Sequence, residues 1–275
     1  MGAPAVSALR RVSLEPSRRC SKACAFCYNG SAPDGGGEWS TSDVVDLGRD
    51  LARHGVESLS LGGGEPLEWE GTFDVLAALD GVLARSLTTN GLALADPAVL
   101  DRLARARPDK VHVSVHDPRI EDEVLGAVAR VHALAARAIP SGVNLVVARS
   151  RLGAAAAAAR TLRAAGIGNE RIVYLPMRGA DTPSPAEVHA VAGGPFQSMT
   201  CLPACGASPR FASIGADRTA AWCSYTRTRR RLAAPTHAAL VAALDGLGLA
   251  PCDGGRLVRL GALPRPGAAG RRHET

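Results

Sequence analysis

Over the first 190 residues, short β-like runs alternate with stretches of helical period. Arg11–Glu15, Ser58–Leu61, Arg85–Thr89, Lys110–Val115, Val143–Val147 and Arg171–Leu175 read as strands, each a short β-like run, with Lys110–Val115 β-branched. Between them lie helical patterns. Thr41–His54 carries Val44, Val45, Leu47 and Leu51 on one face, with Ser40 or Thr41 as its cap. Thr72–Leu79, Pro97–Ala106, Ile120–Ala138 and Ala154–Ala165 complete the set, with Pro97 at a first-turn position. Strands joined by helical crossovers pair in parallel with right-handed connections, and sites collect at the C-terminal ends of such strands. The pattern predicts an α/β fold with six strand–helix units.

After Leu175 the rhythm breaks at Pro176, Pro183, Pro185 and Gly193–Pro195. We expect a core over 8–190, a smaller extension over 191–262 and a disordered tail over 263–275. Within the extension, Phe211–Ile214 and Thr219–Trp222 predict a hairpin around Gly215–Arg218, and Pro235–Leu247 a helix.

Composition narrows the class. At 275 residues with 46% hydrophobic and 21% charged, the chain can bury a core. Aromatics at 4% make a stacking surface for nucleic acid a poor expectation. No apolar run approaches the roughly 20 residues of a membrane span, and Met1–Arg11 lacks the apolar segment of a secretory signal. A cytoplasmic protein is expected, without membrane or nucleic-acid partners. In a reducing compartment its seven cysteines read as metal or redox ligands. The net charge of +6 divides into −1 before Val191 and +7 from there on, with Arg227, Arg229, Arg230 and Arg231 clustered. That cluster is either a solvated face or a dock for an acidic partner.

The strongest chemical signal is Cys20-Ser-Lys-Ala-Cys24-Ala-Phe26-Cys27, directly after the first strand. Three thiolates this close wrap a compact centre from a loop, and three ligands leave one iron of a four-iron cubane open to substrate or cofactor. The spacing resembles the signature of the radical S-adenosylmethionine (SAM) enzymes, and other parts of that pattern follow in order. Gly62-Gly63-Gly64-Glu65-Pro66 follows the second strand and resembles the motif that holds the methionine amino group; Glu65 can pair with an ammonium. Thr88-Thr89-Asn90-Gly91 ends the third strand and His112–Asp117 the fourth, where the family often has a SAM-contacting serine, here Ser114. Asn144 and Met177 stand where the family borders ribose and adenine.

The resemblance covers about residues 8–180. It implies a partial (β/α)6 barrel, a SAM-binding 4Fe–4S cluster on Cys20, Cys24 and Cys27, and SAM as cofactor. One electron cleaves SAM, and the 5′-deoxyadenosyl radical then takes a hydrogen atom from substrate. Cys201, Cys205 and Cys223, around the expected hairpin, resemble the auxiliary-cluster extension called SPASM, or its shorter form Twitch. With Cys252 they suffice for one auxiliary 4Fe–4S cluster. The usual Asp-Gly of that pattern is Asp217-Arg218 here, a departure. Alternatively, Cys252 is a free thiol that donates hydrogen in an epimerisation.

The resemblance therefore implies oxidation, epimerisation or crosslinking of a peptide or small natural product, with flavodoxin or ferredoxin as electron donor. Read without the resemblance, each residue has a plainer role: the triplet a zinc site with a distant fourth ligand, the glycines a tight turn, Ser114 and Asn144 backbone satisfaction, and His112 and His116 structural hydrogen bonding. Two rival classes stay open. One is a non-catalytic cysteine-rich metal-binding or regulatory protein, which predicts bound zinc and no SAM affinity. The other uses SAM as a methyl donor, with Cys223 or Cys252 as methyl carrier.

Overall fold

The computed structural model describes residues 9–199 and 210–248. Cys201, Cys205, Cys252 and the expected tail lie outside the described residues.

Six parallel strands stand side by side in sequence order: β1 (Arg11–Leu14), β2 (Ser58–Leu61), β3 (Ala84–Thr89), β4 (Lys110–Val115), β5 (Ser141–Val147) and β6 (Ile172–Pro176). Helices α1 (Thr41–Arg53), α2 (Thr72–Ala78), α3 (Pro97–Ala106), α4 (Glu121–Ala135) and α5 (Leu152–Ala164) make the crossovers. The family-type α/β partial barrel expected above is present, and its sheet stays open.

Local chemistry explains where the helices begin. Ser40 and Asp43 form a reciprocal capping box at α1. Asp96 caps α3 ahead of Pro97, whose missing N–H has no partner to lose there. Glu121, Asp122 and Glu123 place negative charge in the first turn of α4, where the helix dipole favours it.

The expected helix ran three residues further, to Ala138. The structure ends it at Ala135 with Ala138 in the left-handed region, φ 57°. This bend frees Ser141 and Gly142 to extend β5 alongside Val111 and His112.

The two faces of the sheet differ. One buries Val12, Leu14, Leu59, Leu61, Leu87 and Val113 against the helices in a single apolar core. The other presents serine, threonine, histidine and asparagine at the alternate positions, as the period of two along a strand requires.

The sheet continues past both ends of this set. A short α6 (Pro185–Ala192), capped by Ser184 with Glu187, leads to the two-residue β7 (Gln197–Ser198) beside β6. The expected hairpin forms as β8 (Phe211–Ile214) and β9 (Thr219–Ala221), followed by β10 (Arg230–Arg231) and α7 (His237–Leu244). Beyond the local hairpin, β8 lies parallel to β1 in register, Val12 opposite Ala212 and Leu14 opposite Ile214. The described part of the C-terminal region thus extends the sheet at its β1 side, giving ten strands in the order β10-β9-β8-β1-β2-β3-β4-β5-β6-β7. Among the described residues, no helix is long and apolar enough to cross a membrane.

Candidate active site

The cysteine loop leaves the C-terminal end of β1 and runs to α1. Its backbone folds back on itself: Cys20 N–H donates to Ala32 O (2.9 Å) and Ala32 N–H to Arg18 O (3.0 Å). A tight turn joins the second and third cysteines, with Cys27 N–H on Cys24 O at 3.0 Å. Ala23 takes a left-handed φ of 47° just before it.

All three thiols are free and partly buried. Burial pushes the Cys24 thiol up to about 11, with the neighbouring Lys22 opposing the shift. A bound metal cation reverses that cost, because it favours thiolate.

The glycine motif packs directly onto this loop. Gly62 N–H donates to Leu14 O (2.9 Å), Gly64 N–H to Ser17 O (2.9 Å) and Glu65 N–H to Arg19 O (2.7 Å). A Cβ on Gly64 would sit 2.2 Å from Arg19 O, so only glycine lets the two backbones approach. Gly63 has φ 91°, and a Cβ there would strike Glu15. Gly62 differs: the nearest atom to its Cβ position is Ser13 Oγ at 3.9 Å, so its backbone faces open space on the polar side of the sheet.

Glu65 is 2% exposed, and its carboxylate is engaged at both oxygens. Oε1 accepts from Leu67 N–H (3.1 Å) and Oε2 from Asn90 N–H (2.7 Å). Burial raises its pKa, and the backbone N–H of Asn90 opposes that. Asn90 in turn directs its side-chain amide at Cys20 Sγ, 3.7 Å away. The glycine motif, the end of β3 and the first cysteine therefore form one connected unit.

The other flank of the loop is tied to β4 and α4. Lys22 pairs with Glu123 at 2.8 Å, and Glu123 Oε1 also accepts the His116 backbone N–H at 2.6 Å. Glu123 is held down to about 2: burial alone would raise it, and the hydrogen bonds from His116 and Lys22 outweigh that. The Phe26 ring lies 6.1 Å from the His116 ring.

Ser114 and Asn144 are buried register partners on β4 and β5, and Asn144 donates to Thr88 Oγ1 at 3.5 Å. Met177 follows β6, with its N–H on Val147 O at 2.7 Å. The site residues expected in the core thus all stand on the loop after β1 or at the C-terminal halves and ends of β2 to β6.

Sequence reasoning missed several neighbours. Tyr28 donates to Glu15 Oε1 (2.8 Å) and Asn29 to Glu15 Oε2 (3.2 Å), while Cys27 Sγ–H donates to Asn29 Oδ1 at 2.9 Å. Glu15 ends the predicted first strand, so its place beside the loop was readable; its partners were not.

The loop offers the donor types of an iron–sulfur cluster, three free thiols, one facing an amide donor, beside a glycine backbone that opens on the sheet's polar face; among the described residues no three cysteine, histidine or carboxylate side chains are drawn together round a single metal ion. The sequence profile of the Radical SAM superfamily matches residues 14–177, more than half of the chain. The chain belongs to the radical SAM superfamily.

Its members imply a 4Fe–4S cluster and SAM, and the cysteine triplet is where this chain would hold them. Among curated proteins it is similar to the probable GTP 3′,8-cyclase of Methanocella arvoryzae, 36% identical over 105 residues, or 38% of this chain and 33% of that protein. The corresponding protein of Aeropyrum pernix is 36% identical over 136 residues, or 45% of this chain and 36% of that one. The chain thus aligns with about a third of the length of the curated relatives it matches.

Two solved structures share the fold. Streptococcus suis SuiB bound to S-adenosylmethionine superposes with a TM-score of 0.63 at 14% identity, over 82% of this chain and 63% of that one. Native anSMEcpe with bound AdoMet and Cp18Cys peptide superposes with a TM-score of 0.59 at 14% identity, over 84% of this chain and 80% of that one.

The C-terminal hairpin braces the cysteine loop. Trp39 Nε1–H donates to Gly215 O (2.9 Å), Glu38 N–H to Ala216 O (2.8 Å), and Arg18 pairs with Asp217 at 3.2 Å. The departure noted at Arg218 has a physical reading. Arg218 adopts φ 56°, the left-handed turn conformation that suits glycine. Its guanidinium compensates: it pairs with Asp43, donates from Nε to Glu38 O at 3.1 Å, and lies 5.0 Å over the Trp39 ring.

The arginine cluster works internally as well. Arg229 donates to Thr219 O (3.0 Å), Arg230 to Asp245 O (2.7 Å) at the end of α7, and Arg231 to Asp217 O (2.9 Å). Neither of the two expectations for this cluster anticipated that role. Cys223 is a partly buried free thiol just after β9, and it accepts the Tyr225 backbone N–H at 3.4 Å.

Proposed function

We propose that this chain generates a substrate radical and carries out oxidation, epimerisation or crosslinking of a small natural product or peptide. The observation that carries the reading is the backbone lock between Gly64–Glu65 and Ser17–Arg19, which joins the glycine motif to the cysteine loop. When bound, the cluster and SAM supply a 5′-deoxyadenosyl radical.

The chain's own residues then have distinct tasks. Cys20, Cys24 and Cys27 hold the iron. Gly62, Gly63 and Gly64 bring backbone to the methionine end of SAM, while Glu65 keeps that backbone in place. Ser114 and Asn144 would face the ribose, and Met177 would border the adenine. Phe26, against His116, keeps the loop's flank closed. In the C-terminal region, Cys223 with Cys201, Cys205 and Cys252 would hold one auxiliary 4Fe–4S cluster; Cys252 as a free thiol would instead return hydrogen to the substrate. Flavodoxin or ferredoxin would supply the electron.

The test is anaerobic. After reconstitution with iron and sulfide, the protein with SAM and a strong reductant is expected to form 5′-deoxyadenosine. The Cys20→Ala, Cys24→Ala, Cys27→Ala triple variant is expected to form none. A wild type that forms none and retains zinc overturns the reading in favour of a metal-binding protein.

A further inference from the structure

The polar face of the sheet carries an ordered row of hydrogen-bonding groups. Register sets Ser213 of β8 beside Ser13 of β1, Ser13 beside Ser60 of β2, Ser60 beside Ser86 of β3, and Ser86 beside Lys110 of β4. Parallel partners in register present their side chains to the same face. Four hydroxyls and one ammonium therefore cross five neighbouring strands in a line, about 4.8 Å from one strand to the next. Two residues further toward the cysteine loop, the same face carries His112 beside Thr88.

A sheet that packs against itself fills such positions with valine, isoleucine and leucine. From β1 to β4 this one does so only on its helix-covered face. The polar row also holds groups left without partners among the described residues. Ser213 is 0% exposed and its hydroxyl makes no hydrogen bond. Nε2 of His112 is buried and equally unpartnered. Burial, with Lys110 adding to it, lowers His112 to about 4, so the ring is neutral at pH 7. Native structures rarely leave such groups unsatisfied unless a ligand or water completes them.

We propose that this row is a substrate bed for a hydroxyl-rich small molecule bearing one acidic group, the chemistry of a sugar phosphate. Lys110 pairs with the anion, while Ser86, Ser60 and His112 hydrogen-bond the hydroxyls. From β1 to β4 the bed offers no valine, isoleucine, leucine or aromatic wall for an aliphatic peptide side chain. The inference rests on the radical reading above, which places substrate over the same face of the sheet, with Lys110 at the start of β4 and His112 two residues nearer the cysteine loop. It deepens that reading by naming the substrate class.

The test is equilibrium binding to the full reconstituted chain without reductant, so that no SAM is cleaved. The probes are ribose 5-phosphate, guanosine 5′-monophosphate and ribose. Both phosphorylated probes are expected to bind at least tenfold more tightly than ribose. Lys110→Met should remove that difference and Lys110→Arg should restore it. Ser60→Ala with Ser86→Ala should weaken both phosphorylated probes about tenfold, whereas Ser60→Thr, which keeps the hydroxyl, should not.

Tighter binding of ribose 5-phosphate supports a free sugar phosphate, and tighter binding of the nucleotide supports a nucleotide. Absence of binding, or binding indifferent to Lys110, overturns the bed. 5′-Deoxyadenosine formation by the same preparation separates the two readings. Product without probe binding removes the bed alone; probe binding without product removes the radical reading alone.

Discussion

The rings of Tyr28 and Tyr225 lie 4.9 Å apart, centroid to centroid, at an interplanar angle of 45°. Tyr28 directly follows Cys27, and Tyr225 donates its backbone N–H to Cys223. The pair thus links the two cysteine-bearing segments through one aromatic contact. Arg178, just beyond Met177, places its guanidinium 5.6 Å from the Tyr225 ring and brings the end of β6 to the same point.

If this contact holds the segments together, it has a measurable energy. A double-mutant cycle with Tyr28→Leu and Tyr225→Leu, read by urea unfolding of the metal-free protein, should give a coupling of about 0.5–1.5 kcal/mol. The cycle subtracts the hydrogen bond from Tyr28 to Glu15, which only one of the variants breaks. A coupling indistinguishable from zero would show that the rings are neighbours without being partners.

Gly64→Ala should be among the most damaging single-methyl changes in the chain. The added carbon meets backbone, Arg19 O, which cannot swing aside as a side chain would. We expect a loss of stability of about 2 kcal/mol or more, together with iron content well below that of the wild type. Colorimetric iron assay and thermal unfolding check both. Wild-type iron retention would mean that the loop and the glycine motif can separate without consequence.

Arg218 makes an ordered prediction. Gly at 218 relieves the left-handed backbone and loses the contacts to Asp43, Glu38 and Trp39; Ala loses the contacts and keeps the strain. The melting temperature should therefore fall in the order Arg, Gly, Ala, with Gly and Ala about 1 kcal/mol apart. Gly above Arg would show that the guanidinium contributes nothing to the brace.

His112 links stability to acid. Its folded pKa of about 4 lies below the ordinary histidine value of 6.5, so the unfolded chain binds the proton more readily. Its contribution is fully present above pH 6.5 and is lost as pH falls toward 4, by up to about 3 kcal/mol. His112→Asn should flatten the stability profile of the metal-free protein across that window. A variant whose profile parallels the wild type would move the acid sensitivity elsewhere.

Much of the core was legible because short strands with one apolar face alternate along the chain with stretches of helical period. Ser58–Leu61, Pro97–Ala106 and Lys110–Val115 appear with the bounds their periodicity and caps predict. The cysteine triplet and the glycine motif were legible because the chemistry there needs particular residues at close spacing. The brace was not, because Arg18 and Asp217 are 199 positions apart and neither carries a local signal. Nor was the pairing of β8 with β1: the hairpin announces its own turn but not the strand it will join. The serine row was in plain view as alternation in Arg11–Leu14, Ser58–Leu61 and Ala84–Thr89. On its own, such alternation reads as three half-exposed strands; only the register turns it into a line.

The separation of the brace in sequence has a consequence for how the protein is made. A ribosome adding about 5–20 residues per second needs roughly 10–40 s to pass from the cysteines to the hairpin that supports them. The three thiols emerge early, on a loop still missing its buttress. The shaped site exists only once Arg231 has been synthesised and the last strands have reached the β1 edge. A chain truncated before the hairpin would therefore carry the three thiols on a loop that lacks the contacts of Trp39, Glu38 and Arg18 to residues 215–217.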